Sequence, residues 1–512
     1  MTTIWEPLDV SKAEIRLLTL YPSNKLTDRP ECSLRIVSLN DRPYFEALSY
    51  VWGNPDVKVP IRLNQQQWFV TPNLESALRY LRHKDESVDL WVDAICINQQ
   101  DLEERSNQVQ LMEQIYTQAS GVRAWLGESE FGVEEAFELL QQVRQKKEAK
   151  KMTVKGASLN ASHIEKATGL AQRAWWNRVW VQQEASLNEK VTIHCGSIST
   201  DLNDIAHIAD FDVDRQVHDI EGLSDTWRKF RETSQKNLMY GRVKRCESAS
   251  SFLYNLASGL SLDASDSHDY IYGFLALAPS ELRKVIKPDY GQSSEQTFID
   301  LVLAVSSVTR NLQVLDFSGI DLQRDPDLPT WAPDWRKVTD QIPPLHEEDC
   351  GTPPIWLLAS NGVSMDYVGR YHDSEMECRR VTPEDWLIYR DCTKMVKNIT
   401  HGSNYDFTTS EDDLLAFRLD VNSGSVGRKL FRTDKDYIGA GPMEAREGDC
   451  VYILAGGSVP YILRPVESAT RLGSFRYVGT SYVHGIMDGE AVIGADDAST
   501  TSRHGWSQVF LE

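Results

Sequence analysis

One stretch of the sequence decides the fold of the amino-terminal region: residues 90–126, which read LWVDAICINQQDLEERSNQVQLMEQIYTQASGVRAWL. The run Leu90–Ile95 has the short, apolar character of a strand. From Leu102 to Ala119 apolar side chains recur at helical spacing, and Val122–Leu126 is again a short strand-like run. A strand, a helix and a strand with short joints predict two neighbouring parallel strands linked by a right-handed crossover. We therefore expect an α/β domain with a mainly parallel sheet.

The residues before this unit favour further strands and one helix. Alternating or β-prone runs occur at Ile15–Leu20, Ser33–Leu39 and Phe45–Trp52, and turn-forming residues separate them. Thr71-Pro72 is typical of a helix start, because threonine provides a hydroxyl at the N-cap and proline fits the first helical position. Leucines follow at helical spacing. The α/β domain is predicted to end near residue 200.

The residues that follow Leu126 are predicted to be mainly helical as far as about residue 340. The stretch from Glu128 to about Leu170 is rich in Gln, Lys and Glu, which indicates a solvated helical insertion. A tryptophan-rich helix is predicted from about Arg173 to Leu187.

After Asp391 the pattern changes to short strands separated by Gly- and Pro-containing turns. Gly439-x-Gly441 and Gly456-Gly457 lack the strand–loop–helix context of a phosphate loop, so we interpret them as hairpin turns. A chain of 512 residues exceeds what one hydrophobic core usually supports. The sequence predicts three regions: an α/β domain at 1–200, a mainly helical region at 201–345 and a β-rich domain at 346–512.

Composition and charge disfavour several classes of partner. The formal net charge of −21 disfavours nucleic acid and anionic membrane surfaces, and no apolar run approaches the ~20 residues of a membrane span. The first residues lack the basic and apolar segments of a secretory signal. Eight scattered cysteines without a Cys-x-x-Cys pair indicate a reducing compartment. His194 and Cys195 are neighbours on a strand and point to opposite faces, which disfavours a metal site. We therefore expect a cytoplasmic protein without a metal.

Three stretches of sequence carry a resemblance to a known family. They are residues 44–53 (YFEALSYVWG), 90–100 (LWVDAICINQQ) and 175–185 (WWNRVWVQQEA). Their order and spacing resemble the fungal heterokaryon-incompatibility (HET) domain, with core motifs over residues 44–195. Members of this family act in non-self recognition that leads to cell death. The resemblance implies the same class of role here, with an incompatibility partner that the sequence does not identify.

Four downstream stretches resemble segments that commonly follow the HET domain. They are residues 269–273 (DYIYG), 288–290 (PDY), 328–335 (LPTWAPDW) and 482–487 (YVHGIM). One position departs from the expected pattern, because His268 stands where arginine is expected before Asp269. The role of that cation is therefore open in this chain.

The HET domain in turn resembles the TIR domain, a flavodoxin-like fold of which some members hydrolyse NAD. In those enzymes a glutamate follows a tryptophan by four residues in a Trp-Cys-x-x-Glu helix. Trp180 and Glu184 have this spacing, with valine in the place of the cysteine. The resemblance implies that Glu184 is catalytic, that NAD is a substrate with no further cofactor, and that self-association completes the site.

Helical spacing adds a physical reason for this assignment. Trp176, Trp180 and Glu184 stand at i, i+4 and i+8 and would share one helix face. An apolar wall raises the pKa of a carboxyl group by desolvation, and an indole offers a surface to a cationic nicotinamide ring. Cleavage of a glycosidic bond needs an anionic group beside the developing oxocarbenium ion. The alternative is that both tryptophans belong to the core and Glu184 forms a cap or a salt bridge.

Further candidate residues lie where the predicted strands end. Asp93 is expected at the carboxyl end of a parallel strand, where open α/β sheets bind ligands, and Arg105 could meet a phosphate or Asp93 itself. The alternative for this group is turn and capping chemistry with one internal salt bridge. The full set of predicted substrate-binding residues is Glu46, Ser49, Tyr50, Trp52, Asp93, Asn98, Gln99, Arg105 and Trp180.

Two functions from different classes remain open at this point. The first is an effector whose HET domain hydrolyses NAD or a related nucleotide with Glu184. The second is a non-enzymatic signalling module that acts by self-association or by binding a partner.

Overall fold

The computed structural model describes residues 4–129, 133, 137, 169–170, 172–203, 245–259, 262–319, 325, 327–337, 428–434, 437–454, 457, 459–466, 474–483 and 509–511. The chain divides into two compact units, Met1–Ser293 and Ser294–Glu512. Most of the insertion predicted between Glu128 and Leu170 lies outside the described residues. The three regional boundaries drawn from the sequence stay predictions.

The first unit is built on a mixed sheet of nine strands within the described residues. In chain order they are β1 (Glu14–Leu20), β2 (Glu31–Ser38), β3 (Glu46–Tyr50), β4 (Val59–Leu63), β5 (Gln66–Val70), β6 (Val88–Trp91), β7 (Val122–Trp125), β8 (Val191–Cys195) and β9 (Ile198–Asp201). Their order across the sheet is β5-β4-β2-β1-β6-β3-β7-β8-β9. The block β6-β3-β7-β8 is parallel, whereas β1 runs antiparallel to both of its neighbours and β9 runs antiparallel to β8.

The predicted α/β class is confirmed, but the predicted neighbours are wrong. Strands β6 and β7 are parallel members of one sheet, and β3 lies between them, with Ala47 opposite Trp91 on one side and Val122 on the other. Four of the five β3 residues are buried, which suits a strand at the centre of the sheet. Strand β6, predicted to extend to Ile95, ends earlier, at Trp91.

Among the helices that connect these strands are α1 (Pro72–Leu81), α2 (Asp93–Cys96) and α3 (Leu102–Gln118). Helix α1 begins at the predicted proline, although the Thr71 hydroxyl makes no capping hydrogen bond. Helix α3 has the predicted extent, and the Asp101 carboxylate caps its first turn by accepting from two backbone N–H groups. The buried residues of α1 and α3 join the sheet in one hydrophobic core.

The tryptophan-rich segment is not the single helix that the sequence predicted. A 3-10 turn covers Ala174–Asn177, and helix α4 covers only Val181–Ser186. The break falls at Arg178, which forms a parallel β-bridge with Asp263. Pairing with a distant backbone segment therefore replaces the continuous helical hydrogen bonds, so the predicted common face of Trp176, Trp180 and Glu184 does not exist.

The predicted helical region is confirmed in the described residues of both units. The first unit continues with α5 (Ala249–Ser258), α6 (Asp269–Leu275) and α7 (Ser280–Val285), and the second begins with α8 (Ser294–Thr309). Seven strands follow: β10 (Arg428–Arg432), β11 (Ile438–Pro442), β12 (Cys450–Tyr452), β13 (Tyr461–Pro465), β14 (Ser474–Thr480), β15 (Tyr482–Val483) and β16 (Phe510–Leu511). They form one three-stranded and one four-stranded sheet, which confirms the predicted β-rich carboxyl-terminal part.

The glycines predicted to form one hairpin turn lie instead inside a strand. Gly439 and Gly441 belong to β11, and a Cβ atom at Gly439 would stand 2.4 Å from the Phe431 ring. These glycines leave room for an aromatic side chain across the strand. Gly456 lies outside the described residues.

A buried carboxylate at the carboxyl edge of the parallel strands

The residues with the strongest chemistry meet where the central parallel strands end. Ser49 and Tyr50 close β3, Asp93 follows β6, and Glu184 approaches from α4. Open α/β sheets bind their ligands at this edge. The structure thus brings together four of the residues that the sequence proposed for one site.

The Glu184 carboxyl group is 2% exposed and has an oriented hydrogen-bond partner. The Ser49 hydroxyl donates to Glu184 Oε2, and the Trp175 indole N–H donates to Ser49 Oγ over 2.8 Å. An indole can only donate, so the hydroxyl proton of Ser49 is left to face the carboxylate. The relay from Trp175 through Ser49 fixes the direction in which Glu184 accepts.

The surroundings of Glu184 raise its pKa into the neutral range. Burial raises the pKa of Glu184 to about 7, and the negative charge of Asp93 acts in the same direction. The positive charge of Arg178 and the hydrogen bonds from Ser49 and Tyr116 oppose this rise. A carboxyl group whose pKa lies near neutrality can hold or release a proton under ordinary conditions.

Asp93 is the second carboxylate of the site, and it lies closer to solvent. Its Oδ2 accepts from the Trp52 indole N–H over 2.8 Å, and its Oδ1 accepts from the Ala94 backbone N–H over 2.7 Å. Burial raises its pKa, while Arg178 and the Trp52 hydrogen bond lower it. Trp52 is 38% exposed, so an indole face is accessible at the rim of the site.

Arg178 supplies a positive charge that acts on both carboxylates. Its guanidinium group donates to the Tyr50 backbone carbonyl, which holds it at the end of β3. Burial raises the pKa of the Tyr50 phenol well above its ordinary value, so this hydroxyl stays protonated beside Asp93. Among the described residues that hydroxyl has no hydrogen-bond partner of good geometry.

Sequence reasoning missed three contributors to this site. Arg178 and Trp175 both stand in the quoted tryptophan-rich motif, but a continuous helix would have placed Trp176, not Trp175, on the side of Glu184. In the structure the Trp176 indole donates to the Leu170 carbonyl. Tyr116 lies on α3, for which the sequence predicted only apolar side chains at helical spacing. The only sequence signal for Arg178 and Trp175 was their place in the tryptophan-rich motif, without the assumption that this motif forms one continuous helix.

Two predicted residues support the loop beside the site. The Gln99 side chain donates to the Asp93 backbone carbonyl over 3.0 Å. The Asn98 backbone N–H donates to Glu104 Oε1 over 2.7 Å, and its side-chain oxygen accepts from the Gln100 N–H. The alternative of turn and capping chemistry therefore describes what these two residues do in the structure.

Three other predicted residues lie away from Glu184. Glu46 begins β3, four residues before its carboxyl end, and pairs with Arg123 at 2.5 Å. Arg105 donates to Asp266 over 3.0 Å and does not meet Asp93. The Trp180 indole acts on Asp269, because burial raises the pKa of that carboxyl group and the indole lowers it.

The described residues contain neither a metal-binding cluster nor a membrane-spanning helix. No group of three or more His, Cys, Asp or Glu residues there could hold a metal ion. Within the same residues no helix combines the length and apolar character needed to cross a membrane.

Comparison with known proteins matches two regions of the chain to family models. Its sequence matches the family model "Heterokaryon incompatibility protein (HET)" over residues 45–184 and the "Het-6 beta-barrel domain" over residues 365–499. The chain therefore resembles fungal heterokaryon-incompatibility proteins in two separate regions, and the first of these regions matches the HET domain. It is 22% identical to "Heterokaryon incompatibility protein 6, OR allele" of Neurospora crassa, with 93% of this chain and 94% of the relative covered. No solved structure matches the chain.

Proposed function

We propose that this protein acts in non-self recognition, and that its HET domain hydrolyses the N-glycosidic bond of NAD or a related nucleotide with Glu184 as the catalytic residue. The relative from Neurospora crassa, which carries heterokaryon incompatibility in its name, supports the biological role. The observation that carries the chemistry is a buried, oriented carboxyl group whose pKa is raised to about 7 at the ligand-binding edge of the sheet. The likeness to NAD-hydrolysing TIR domains in the Trp180–Glu184 spacing points to the same bond.

The reaction balances without a cofactor. The bond between ribose C1′ and the pyridinium nitrogen breaks with both electrons going to nitrogen, so nicotinamide leaves as a neutral molecule. The ionised Glu184 carboxylate stabilises the oxocarbenium character that develops at C1′. Water then adds to C1′ and gives its proton to Glu184, whose pKa suits a general base near neutrality. The products are ADP-ribose, nicotinamide and a proton.

The other residues of the site have separate roles in this proposal. The Asp93 carboxylate is held by Trp52 and Ala94 and can accept a hydrogen bond from a ribose hydroxyl. The exposed indole of Trp52 offers a stacking surface to an aromatic base. Arg178 limits the repulsion between the Asp93 and Glu184 carboxylates.

The decisive experiment measures nicotinamide release from NAD by the purified full chain and by Glu184→Gln. Loss of the single electrostatic contact should lower the rate by about 10²–10³. Because the ionised form of Glu184 is the active one, the parent rate should rise with pH through about 7. Glu103→Gln is the matched control, since it makes the same change at an exposed position of α3. Equal rates for Glu184→Gln and the parent would remove the catalytic assignment.

A non-enzymatic module that self-associates is the second candidate. Strand β5 lies at one end of the sheet, and its Phe69 side chain is 54% exposed. A second copy of the chain could add a strand at this edge. Elution of the full chain should then shift to larger size with concentration, and Phe69→Lys should abolish that shift. If Glu184→Gln keeps the biological response while Phe69→Lys loses it, the second candidate replaces the first.

A further inference from the structure

The segment that carries Glu184 is held by residues beyond the region of the HET family match. The Asp263 N–H donates to the Asn177 carbonyl over 2.5 Å, and the Val179 N–H donates to the Asp263 carbonyl over 3.1 Å. These bonds interrupt the tryptophan-rich segment at Arg178 and fix the direction from which α4 starts. The start of α4 is therefore set by a chain segment that follows the end of the matched region at residue 184.

Asp269 is the residue in which several contacts from this part of the chain converge. Its carboxyl group is buried and accepts from the Tyr290 hydroxyl over 2.7 Å. Burial raises the pKa of this carboxyl group, and the Trp180 indole lowers it. Arg105, on α3, lies 3.8 Å away and also stands 3.5 Å from the centroid of the Tyr290 ring. One carboxylate thus joins the residue immediately before α4, helix α3 and the Pro-Asp-Tyr motif.

Close packing adds a second contact between α6 and the residues that precede α4. A Cβ atom at Gly273, one turn after Asp269 on α6, would stand 3.1 Å from Val179 Cγ2. The glycine of the Asp-Tyr-Ile-Tyr-Gly motif therefore lets α6 approach the backbone that leads into α4. This motif has a physical role that the sequence resemblance alone did not assign.

The unusual histidine of the motif does not compete for the Asp269 carboxylate. His268 Nδ1 pairs with Asp266 at 2.5 Å, and its Nε2 contacts the Gln292 carbonyl at 3.0 Å. Asp266 in turn binds Arg105 at 3.0 Å. Asp266 therefore pairs with His268 and with the guanidinium group of Arg105, while the Asp269 carboxylate accepts from the Tyr290 hydroxyl and interacts with the Trp180 indole.

We propose that Asp269 is a positioning residue for the Glu184 site, acting through the Trp180 indole on the start of α4. Helix α4 has six residues, too few to be stable alone, and its N-cap residue Trp180 makes no side-chain cap. The phase of α4, and with it the position of Glu184 one turn later, depends on external contacts. As a statement about activity, this inference rests on the proposed function.

The test uses three variants of the full chain. Asp269→Ala removes the acceptor, and Trp180→Phe removes only the indole N–H that reaches it while keeping an aromatic ring. Asp266→Ala is the matched control, because it deletes a carboxylate of the same Arg105 network that has no bond to Trp180 or Tyr290. Hydrogen–deuterium exchange is followed in residues 174–187 and, as an internal reference, in residues 14–38.

Exchange in residues 174–187 should rise about tenfold in Asp269→Ala and Trp180→Phe, as expected for loss of a hydrogen bond to a charged group. Exchange in the reference residues 14–38 should be unchanged in both variants. Asp266→Ala should leave exchange in residues 174–187 unchanged. Where the parent releases nicotinamide, kcat should fall about tenfold with little change in KM, because Asp269 contacts Tyr290 and Arg105 and not Ser49, Asp93 or Glu184. Unchanged exchange, or an equal rise in both segments, overturns the proposal. A parent without activity would refute the proposed function alone, since exchange still decides the positioning role.

Discussion

Replacing Glu184 with glutamine should stabilise the protein above pH 7 and leave its stability unchanged in acid. Glu184 has a pKa of about 7 in the folded protein against an ordinary value of 4.5. The folded state therefore binds this proton more tightly than the unfolded state does. The stability that this proton contributes is fully present below pH 4.5 and is lost as the pH rises through 7. The difference between the two pKa values corresponds to about 3 kcal/mol.

The measurement is the free energy of unfolding in urea at several pH values between 4 and 8. Glutamine is uncharged and nearly isosteric with the protonated acid, so the advantage of Glu184→Gln should grow from near zero at pH 4 to about 3 kcal/mol at pH 8. The exposed variant Glu103→Gln should show no such growth. A difference between parent and Glu184→Gln that stays constant with pH would refute the argument that burial destabilises the ionised carboxylate.

Three further predictions concern other parts of the chain. Ser49→Ala removes a donor to Glu184, so the pKa of that carboxyl should rise and the pH midpoint of nicotinamide release should move upward, whereas Ser49→Thr should restore it; an unmoved midpoint would contradict the relay. Arg16→Met should lower the free energy of unfolding by about 3–5 kcal/mol, because it leaves the Glu104 carboxylate without its buried partner at 2.6 Å; a loss below about 1 kcal/mol would show that the pair is screened. Gly439→Ala should lower the stability of the β-rich sheets by about 1–3 kcal/mol, measured by thermal unfolding, since its methyl group would overlap the aromatic ring across the strand; an unchanged melting temperature would contradict this packing.

Local patterns in the sequence predicted the elements, and distant contacts decided their arrangement. Helix α3 was predicted nearly to the residue because its apolar stripe and its Asp101 cap are both local. The insertion of β3 between β6 and β7 was not predictable from spacing, because a crossover helix can bypass one strand as readily as reach the next. The number of residues between two strands does not encode their order in the sheet.

The same distinction explains what was and was not predicted at the candidate site. Asp93 and Ser49 follow from the rule that ligands bind at the carboxyl ends of parallel strands. The roles of Trp175 and Arg178 depend on the break that Asp263 causes, which no local pattern reveals. Gly439 was misinterpreted for a similar reason, since the Phe431 ring that requires it lies on the neighbouring strand.

The bond between the backbone of Asp263 and the residues around Arg178 has a consequence for the order of folding. It joins segments far apart in sequence, so its formation requires closure of a long loop after the strands have paired. During synthesis, the sheet can pair once residue 201 has emerged, but α4 receives its final orientation only after Tyr290 has followed. A nascent chain would therefore complete this sheet before it completes its site. In the finished protein, the same segment should be among the first to open and the last to close.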